Sequence, residues 1–172
     1  MIAFEQLCKF CADVDDIRFY LCAPWKDADG RIMASNGHIA VLLDAGADMP
    51  EVVYQEKAPS KRIHEWAAEV GSDGFSPALA EFGADKKCKN CDGVPRVPTE
   101  DDDEWDCTCY LCDGTGFAIK EPLPVGNARY AKHYLRLIAS LPAAEFKANG
   151  PSDMAQFRFD GGVGFLMPVR IA

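Results

Sequence analysis

The chain has 172 residues, enough for one ordinary domain or one domain carrying a small module. Apolar residues make up 48% and charged residues 26%, which supports a buried core and excludes a disordered chain. The formal charge of −9 argues against a general nucleic-acid coat or a basic membrane binder, while leaving room for a local basic face.

Residues 1–16 carry no basic start and no long apolar stretch, so no signal peptide is expected. No window approaches about 18 consecutive apolar residues, so no spanning helix and no membrane partner are expected. The expected location is the cytoplasm. In a reducing compartment, paired cysteines read as metal ligands before disulfides.

The first region runs to about Ser76. Phe4, Leu7, Cys8 and Cys11 are spaced for one apolar face of a short helix. Ile17 to Leu21 reads as a strand. Asp27-Ala28-Asp29-Gly30 is turn chemistry, because Gly accepts positive φ and Asp bonds its own backbone. Arg31 to Ala34 and Ile39 to Leu43 read as strands around the Ser35-Asn36-Gly37 turn. Asn-Gly between apolar runs is a strong hairpin signal. Glu51 to Gln55 is a candidate further strand. Ser60 caps an expected helix with Ile63, Trp66, Ala67 and Val70 facing inward. Gly71 and Gly74 end it.

The second region, 77–124, has little apolar periodicity and five of the eight cysteines. It reads as an insertion ordered by something other than a core. The third region, 125–172, returns to globular patterning. Asn127 to Leu141 reads as a helix, and Glu145 to Ala148, Ala155 to Phe159 and Gly164 to Ile171 read as strands. No internal repeat is evident apart from the two Cys-x-x-Cys units.

Those units are Cys88-Lys-Asn-Cys91-Asp-Gly and Cys109-Tyr-Leu-Cys112-Asp-Gly-Thr-Gly, separated by seventeen residues. Two Cys-x-x-Cys pairs at that separation are a zinc signature. Two intervening residues let both thiolates of a knuckle reach one ion at about 2.3 Å, and the following Gly lets the chain fold back beneath it. The expected ligands are Cys88, Cys91, Cys109 and Cys112. Four thiolates leave no open position, so the expected Zn2+ is structural. Cys107 offers a spare thiolate beside Cys109, although Cys109 has the matching spacing. Cys8, Cys11 and Cys22 read as core residues. The acidic run 101–104 reads as a solvated loop, and residues 92–106 hold seven acids against Arg96.

On the expected helix, Arg129, Lys132, His133 and Arg136 stand at i, i+3, i+4 and i+7 and form a basic stripe. Tyr130, Tyr134, Leu137, Ile138 and Leu141 line the opposing face. A row of bases can track phosphates without reading sequence, which points to double-stranded DNA bound non-specifically. Enzyme chemistry finds no support. His38, His64 and His133 lie far apart in sequence without a nucleophile motif, and Gly161-Gly-Val-Gly164 joins two strands where a phosphate loop would enter a helix.

Resemblances to two families follow from these segments. The cysteine knuckles with their Asp-Gly tails resemble the Cys-x-x-Cys-x-Gly-x-Gly repeats of DnaJ-type co-chaperones, which suggests a single zinc knuckle pair, with a module binding unfolded chains as a further alternative function. Arg18-Phe-Tyr-Leu21 followed by Arg31 to Leu43 is similar to the Ala-Thr-Asp-Gly-His-Arg-Leu-Ala segment of the bacterial DNA polymerase III β subunit, the sliding clamp. Ile39 follows His38 where that family has Arg. Val163 to Ile171 resembles the family's closing Met-Pro-x-Arg-Leu strand, and Tyr134 to Leu141 its last helix.

The clamp resemblance implies an α+β fold: one clamp-like domain of helices packed on curved antiparallel sheets, built from 1–76 and 125–172; the four-cysteine zinc module at 77–124, read from its spacing, is an insertion with no counterpart in the bacterial clamp. It implies a partner pocket at Ser35, Gly37, His38, Ile39, Met167, Pro168 and Val169, taking short apolar motifs of replication proteins. It also implies basic helices facing DNA, and a homo-oligomer ring of several copies of this one-domain chain. The expected function is a non-enzymatic replication accessory in a bacterial cell or a virus-infected bacterial host. The alternative is a clamp mimic that inhibits host replication or defence.

Overall fold

Ile39 to Leu43 is apolar at every position, which a strand tolerates only where both faces of its sheet are covered. The computed structural model shows that arrangement. It describes residues 2–78, 82–94, 96–99, 102–109, 112, 114–118 and 120–170, with side chains left aside at 96–99 and 102–108. The fold is mixed α+β with one large sheet and few helices. In chain order the elements are α1 (Phe4–Cys8), β1 (Trp25–Lys26), β2 (Ile32–Ser35), β3 (Ile39–Leu43), β4 (Val53–Tyr54), α2 (Ser60–Ala68) and β5 (Ser76–Pro77). There follow β6 (Arg96–Thr99), β7 (Asp102–Thr108), β8 (Pro122–Val125), β9 (Ala128–Ala131), α3 (Lys132–Ala139), β10 (Glu145–Lys147), β11 (Ala155–Phe159) and β12 (Gly162–Leu166). No helix among the described residues is long and apolar enough to cross a membrane.

The main sheet runs β4-β1-β2-β3-β12-β11-β10-β5. It is antiparallel except where β1 meets β4. Its order mirrors about the centre: the meander β1-β2-β3 meets the meander β12-β11-β10, with Val41 opposite Gly164. A helix precedes each meander, and α1 and α3 pack on the same sheet face. There Leu7, Phe10, Leu135, Ile138 and Leu141 cover Ile39, Val41, Leu43, Phe157 and Leu166. Gln6 Nε2 donates to Ser140 O at 3.0 Å and links the two helical segments. The other face carries Trp25, Met33, Ala40, Leu42 and Phe165 beneath Ile63 of α2. Trp25 Nε1 donates to Ser60 Oγ at 3.0 Å, so Ser60 fastens α2 to the sheet, and no side-chain cap closes the helix start.

Three expected elements differ, and the first is the last strand, expected over Gly164 to Ile171, which runs Gly162–Leu166. Ile17 to Leu21 is not a strand, and Phe19–Leu21 forms a single 3-10 turn. Asp16 Oδ1 accepts the Arg18 backbone N–H at 2.7 Å, taking a donor that a strand ladder would need. The helix expected from Asn127 starts at Lys132. Residues 128–131 pair with β8 through the Gly126-Asn127 turn, with Tyr130 opposite Leu123. Tyr130 faces the core and Arg129 faces solvent, which is strand alternation.

β12 can lie against Phe157 only because Gly164 has no side chain. A Cβ there would sit 2.1 Å from Phe157 Cζ and 2.6 Å from the Ala40 carbonyl oxygen. Gly164→Ala should therefore cost about 2 kcal/mol or more of folding stability, read as a lowered urea midpoint with an unchanged slope.

Candidate functional site

The sulfurs of Cys88, Cys91, Cys109 and Cys112 lie within 4.8 Å of one another, and all four residues are buried. Cys88 and Cys109 Sγ are 3.8 Å apart, and Cys91 and Cys112 Sγ are 3.7 Å apart. A tetrahedron with sulfurs about 2.3 Å from a central ion has edges of about 3.8 Å, so the donor set fits a metal ion. Removal from water, reinforced by the neighbouring sulfurs, pushes the Cys91 thiol up to about 12. A cation at the centre reverses that preference by favouring thiolates. Asn90 Nδ2 donates to Cys109 Sγ at 3.3 Å and supplies an outer contact to the cluster.

The knuckle tails lie against each other. A Cβ at Gly116 would stand 2.6 Å from the Gly93 carbonyl oxygen, so the second Asp-Gly-Thr-Gly tail must end in glycine to close on the first. Cys88 N donates to Gly116 O at 2.9 Å, and Ala118 N to Lys86 O at 2.8 Å, which ties the entry of the module to its exit. Between Cys107 and Cys109, the structure places Cys109 in the cluster. Cys107 belongs to β7, where the backbone alone is described. Cys8, Cys11 and Cys22 are half-buried. Burial chiefly, then the nearby Cys8 and Cys22, pushes the Cys11 thiol up to about 12, so it stays protonated.

The expected basic stripe does not exist as one helix face. Arg129 is on β9 and exposed, whereas Lys132 is 2% exposed. Lys132 Nζ lies 2.8 Å from Asp85 Oδ1 and donates to the carbonyls of Gly83 and Ala84 at 3.2 Å each. Arg136 Nη1 donates to Asp85 Oδ2 at 2.7 Å. His133 is half-buried beside Tyr134, their ring centroids 3.9 Å apart. An ammonium taken out of water needs fixed partners, and the chain just ahead of Cys88 supplies them. Two bases read from the sequence as phosphate contacts therefore fasten the cysteine module to α3. Nothing in the local sequence linked Asp85 to them.

The segments expected to form a pocket do converge. β3 and β12 place Ile39 opposite Leu166, and Met167 N then donates to His38 O at 2.8 Å. Val169 N continues onto Arg129 O at 2.7 Å. Two hollows meet at His38 and Met167. One, of about 260 Å³, is lined by Ser35, Gly37, His38, Ile39 and Met167, with Tyr20, Trp66 and Phe165 completing its wall. The other, of about 460 Å³, is lined by His38, Met167, Pro168 and Val169, with Lys120, His133 and Tyr134. Asn36 Nδ2 donates to Tyr134 Oη at 2.9 Å and joins the Asn-Gly turn to α3. Sequence reasoning missed the contribution of α2. Trp66 was assigned wholly to the core, yet it is half-buried and also faces the groove.

His64 and Asp27 fix α2 to the β1–β2 turn, Nε2 to Oδ2 at 2.5 Å. Burial alone would raise the Asp27 carboxyl. Hydrogen bonds from His64 and from the Arg31 and Asp29 backbones outweigh that and hold it below the ordinary range.

In comparisons with protein-family models, curated proteins and solved structures, nothing matches the chain.

Two predictions follow from the cluster and its neck. Cys109→Ala should lose the bound metal while Cys107→Ala keeps one ion per chain, checked by elemental analysis of the purified proteins. Asp85→Asn should cost about 3 kcal/mol, because it leaves the Lys132 ammonium buried without its counter-charge. Arg136, then Lys132, hold the Asp85 carboxyl below its ordinary value. Its stabilisation is therefore present above about pH 4 and lost as pH falls through the lowered pKa. The stability gap between wild type and Asp85→Asn should narrow accordingly in acid-titrated urea melts.

Proposed function

We propose that the protein is a non-enzymatic, clamp-like accessory of DNA replication whose working surface is the two-lobed groove around His38 and Met167. An extended segment of a replication or host protein docks there. The observation that carries the reading is the convergence of Ser35 to Ile39 with Met167 to Val169. These are the two segments that resemble the partner-binding parts of bacterial sliding clamps, and here they meet across one sheet. The placement of α1 and α3 on one sheet face supports the same reading. The ion assigned to the four cysteines is a structural zinc, since four thiolates fill a tetrahedral shell and leave no site for substrate.

Duplex DNA is the secondary partner in this reading. Lys132 and Arg136 are engaged by Asp85, and Arg129 is the exposed base of the expected set. This engagement favours a variant in which the protein mimics a clamp surface and occupies a host protein without encircling DNA. Molar mass in solution separates the two forms: a closed assembly of several copies supports the ring, and a monomer supports the mimic.

Immobilised wild-type protein should retain a polymerase or clamp-loader subunit from bacterial extract, identified by mass spectrometry. Met167→Glu should abolish that retention, because Met167 is 40% exposed and stands between the two lobes. Retention that survives Met167→Glu, or none by the wild type, overturns the groove as the working surface.

A further inference from the structure

The groove is cationic in an acidic protein. Among the described residues, neither hollow is lined by an aspartate or glutamate, although acids outnumber bases 27 to 18 along the chain. The first hollow is rimmed by Lys57, Arg62 and Arg18. Arg18 is neutralised by Asp16 at 2.6 Å. Among the described residues, Lys57 and Arg62 make no ion pair. Aromatic rings hold them instead: Lys57 Nζ lies 5.8 Å from the Phe19 ring centre, and Arg62 Cζ lies 5.4 Å from that of Trp66. A ring positions a cation without cancelling its charge, so both remain available to an anion. Arg170 continues the positive edge into the second hollow.

Between these charges the lining is largely apolar, with Trp66 and Met167 reaching the surface and Ile39, Ile63 and Phe165 buried behind them. Ile39, Ile63, Phe165 and Met167 line the first hollow beside Met154. We infer that the groove selects a peptide segment with an apolar centre and acidic flanks, the centre seated over Trp66 and Met167 and the acids facing Lys57 and Arg62. This rests on the groove reading above and names the partner's chemistry. A protein segment fits better than a nucleic acid. The lining is aliphatic as well as aromatic, and a net −9 chain repels a polyanion at long range. Charges at such a rim chiefly set selectivity and encounter rate, while the apolar centre sets affinity.

The test uses three fluorescein-labelled synthetic peptides with the same Leu-Ile-Phe centre, flanked by Asp, by Ser or by Lys, titrated by anisotropy against the full chain loaded with zinc. The Asp-flanked peptide should bind about fivefold tighter than the Ser-flanked one, as expected for two exposed ion pairs, and the Lys-flanked one weakest. Salt of about 0.5 M should erase the ranking. The Lys57→Glu/Arg62→Glu double variant should reverse it and favour the Lys-flanked peptide, a gain that misfolding cannot produce. Equal binding of all three peptides, lost in Met167→Glu, sinks the acidic selectivity and leaves the groove reading standing. No binding by any peptide sinks both. Displacement of the Asp-flanked peptide by a thymidine oligonucleotide at lower concentration than by unlabelled peptide assigns the groove to nucleic acid and overturns the inference.

Discussion

The pairing of β3 with β12 is the contact on which the rest of the molecule depends. It joins the two meanders into one sheet, and it aligns Ile39 with Leu166 so that the next residues, His38 and Met167, meet at the surface. The same register sends alternate side chains of both strands to opposite faces, so α1 with α3 and α2 each find an apolar surface to cover. A slip of β12 by one residue would turn Leu166 toward α2 and break the groove with the core. Gly164 marks how tightly the pairing is set, since Phe157 occupies the space a side chain there would need.

The cysteine cluster is a second source of order, suited to a segment with few apolar side chains. A metal ion held by the four thiolates would supply the order that this segment's few apolar side chains do not. Its attachment to the rest of the fold is electrostatic as well as covalent. Lys132 is sunk into the neck of the module, where a carboxylate and two carbonyls surround it. Breaking such a site by removing one partner is far costlier than the net worth of the pair. Lys132 starts α3, and the following His133 and Tyr134 border the groove, so one short helix meets both the module and the candidate binding surface.

Legibility in the sequence followed the range of the interactions. The β2–β3 hairpin was readable because Asn-Gly fixes its turn within a few residues, and the cysteine quartet because ligand spacing is itself a local constraint. The β9–α3 boundary was not readable. Tyr130 suits a strand's inward position as well as a helix's apolar face, and only the partner strand at 122–125 decides between them. The basic residues misled for the same reason. A Lys that tracks phosphates and a Lys neutralised by a distant Asp have the same local pattern, and Asp85 lies in a loop with no periodicity. The convergence of the groove segments was expected from the clamp resemblance alone. The part played by Lys57, Arg62 and Trp66 depends on α2 crossing the second sheet face, a purely tertiary fact.

The central position of β12 also governs how the polypeptide can be made. β3 leaves the ribosome early, with Ile39 to Leu43 apolar on both sides, and its neighbour is synthesised only after the whole cysteine segment has emerged. During that interval the nascent sheet has an open apolar border, the kind of surface on which chains associate wrongly. The knuckles enclose a short stretch and can close on an ion as soon as Cys112 appears, well before the surrounding body is complete. Co-translational maturation would then proceed from the inserted module outward, with the enclosing domain finishing last.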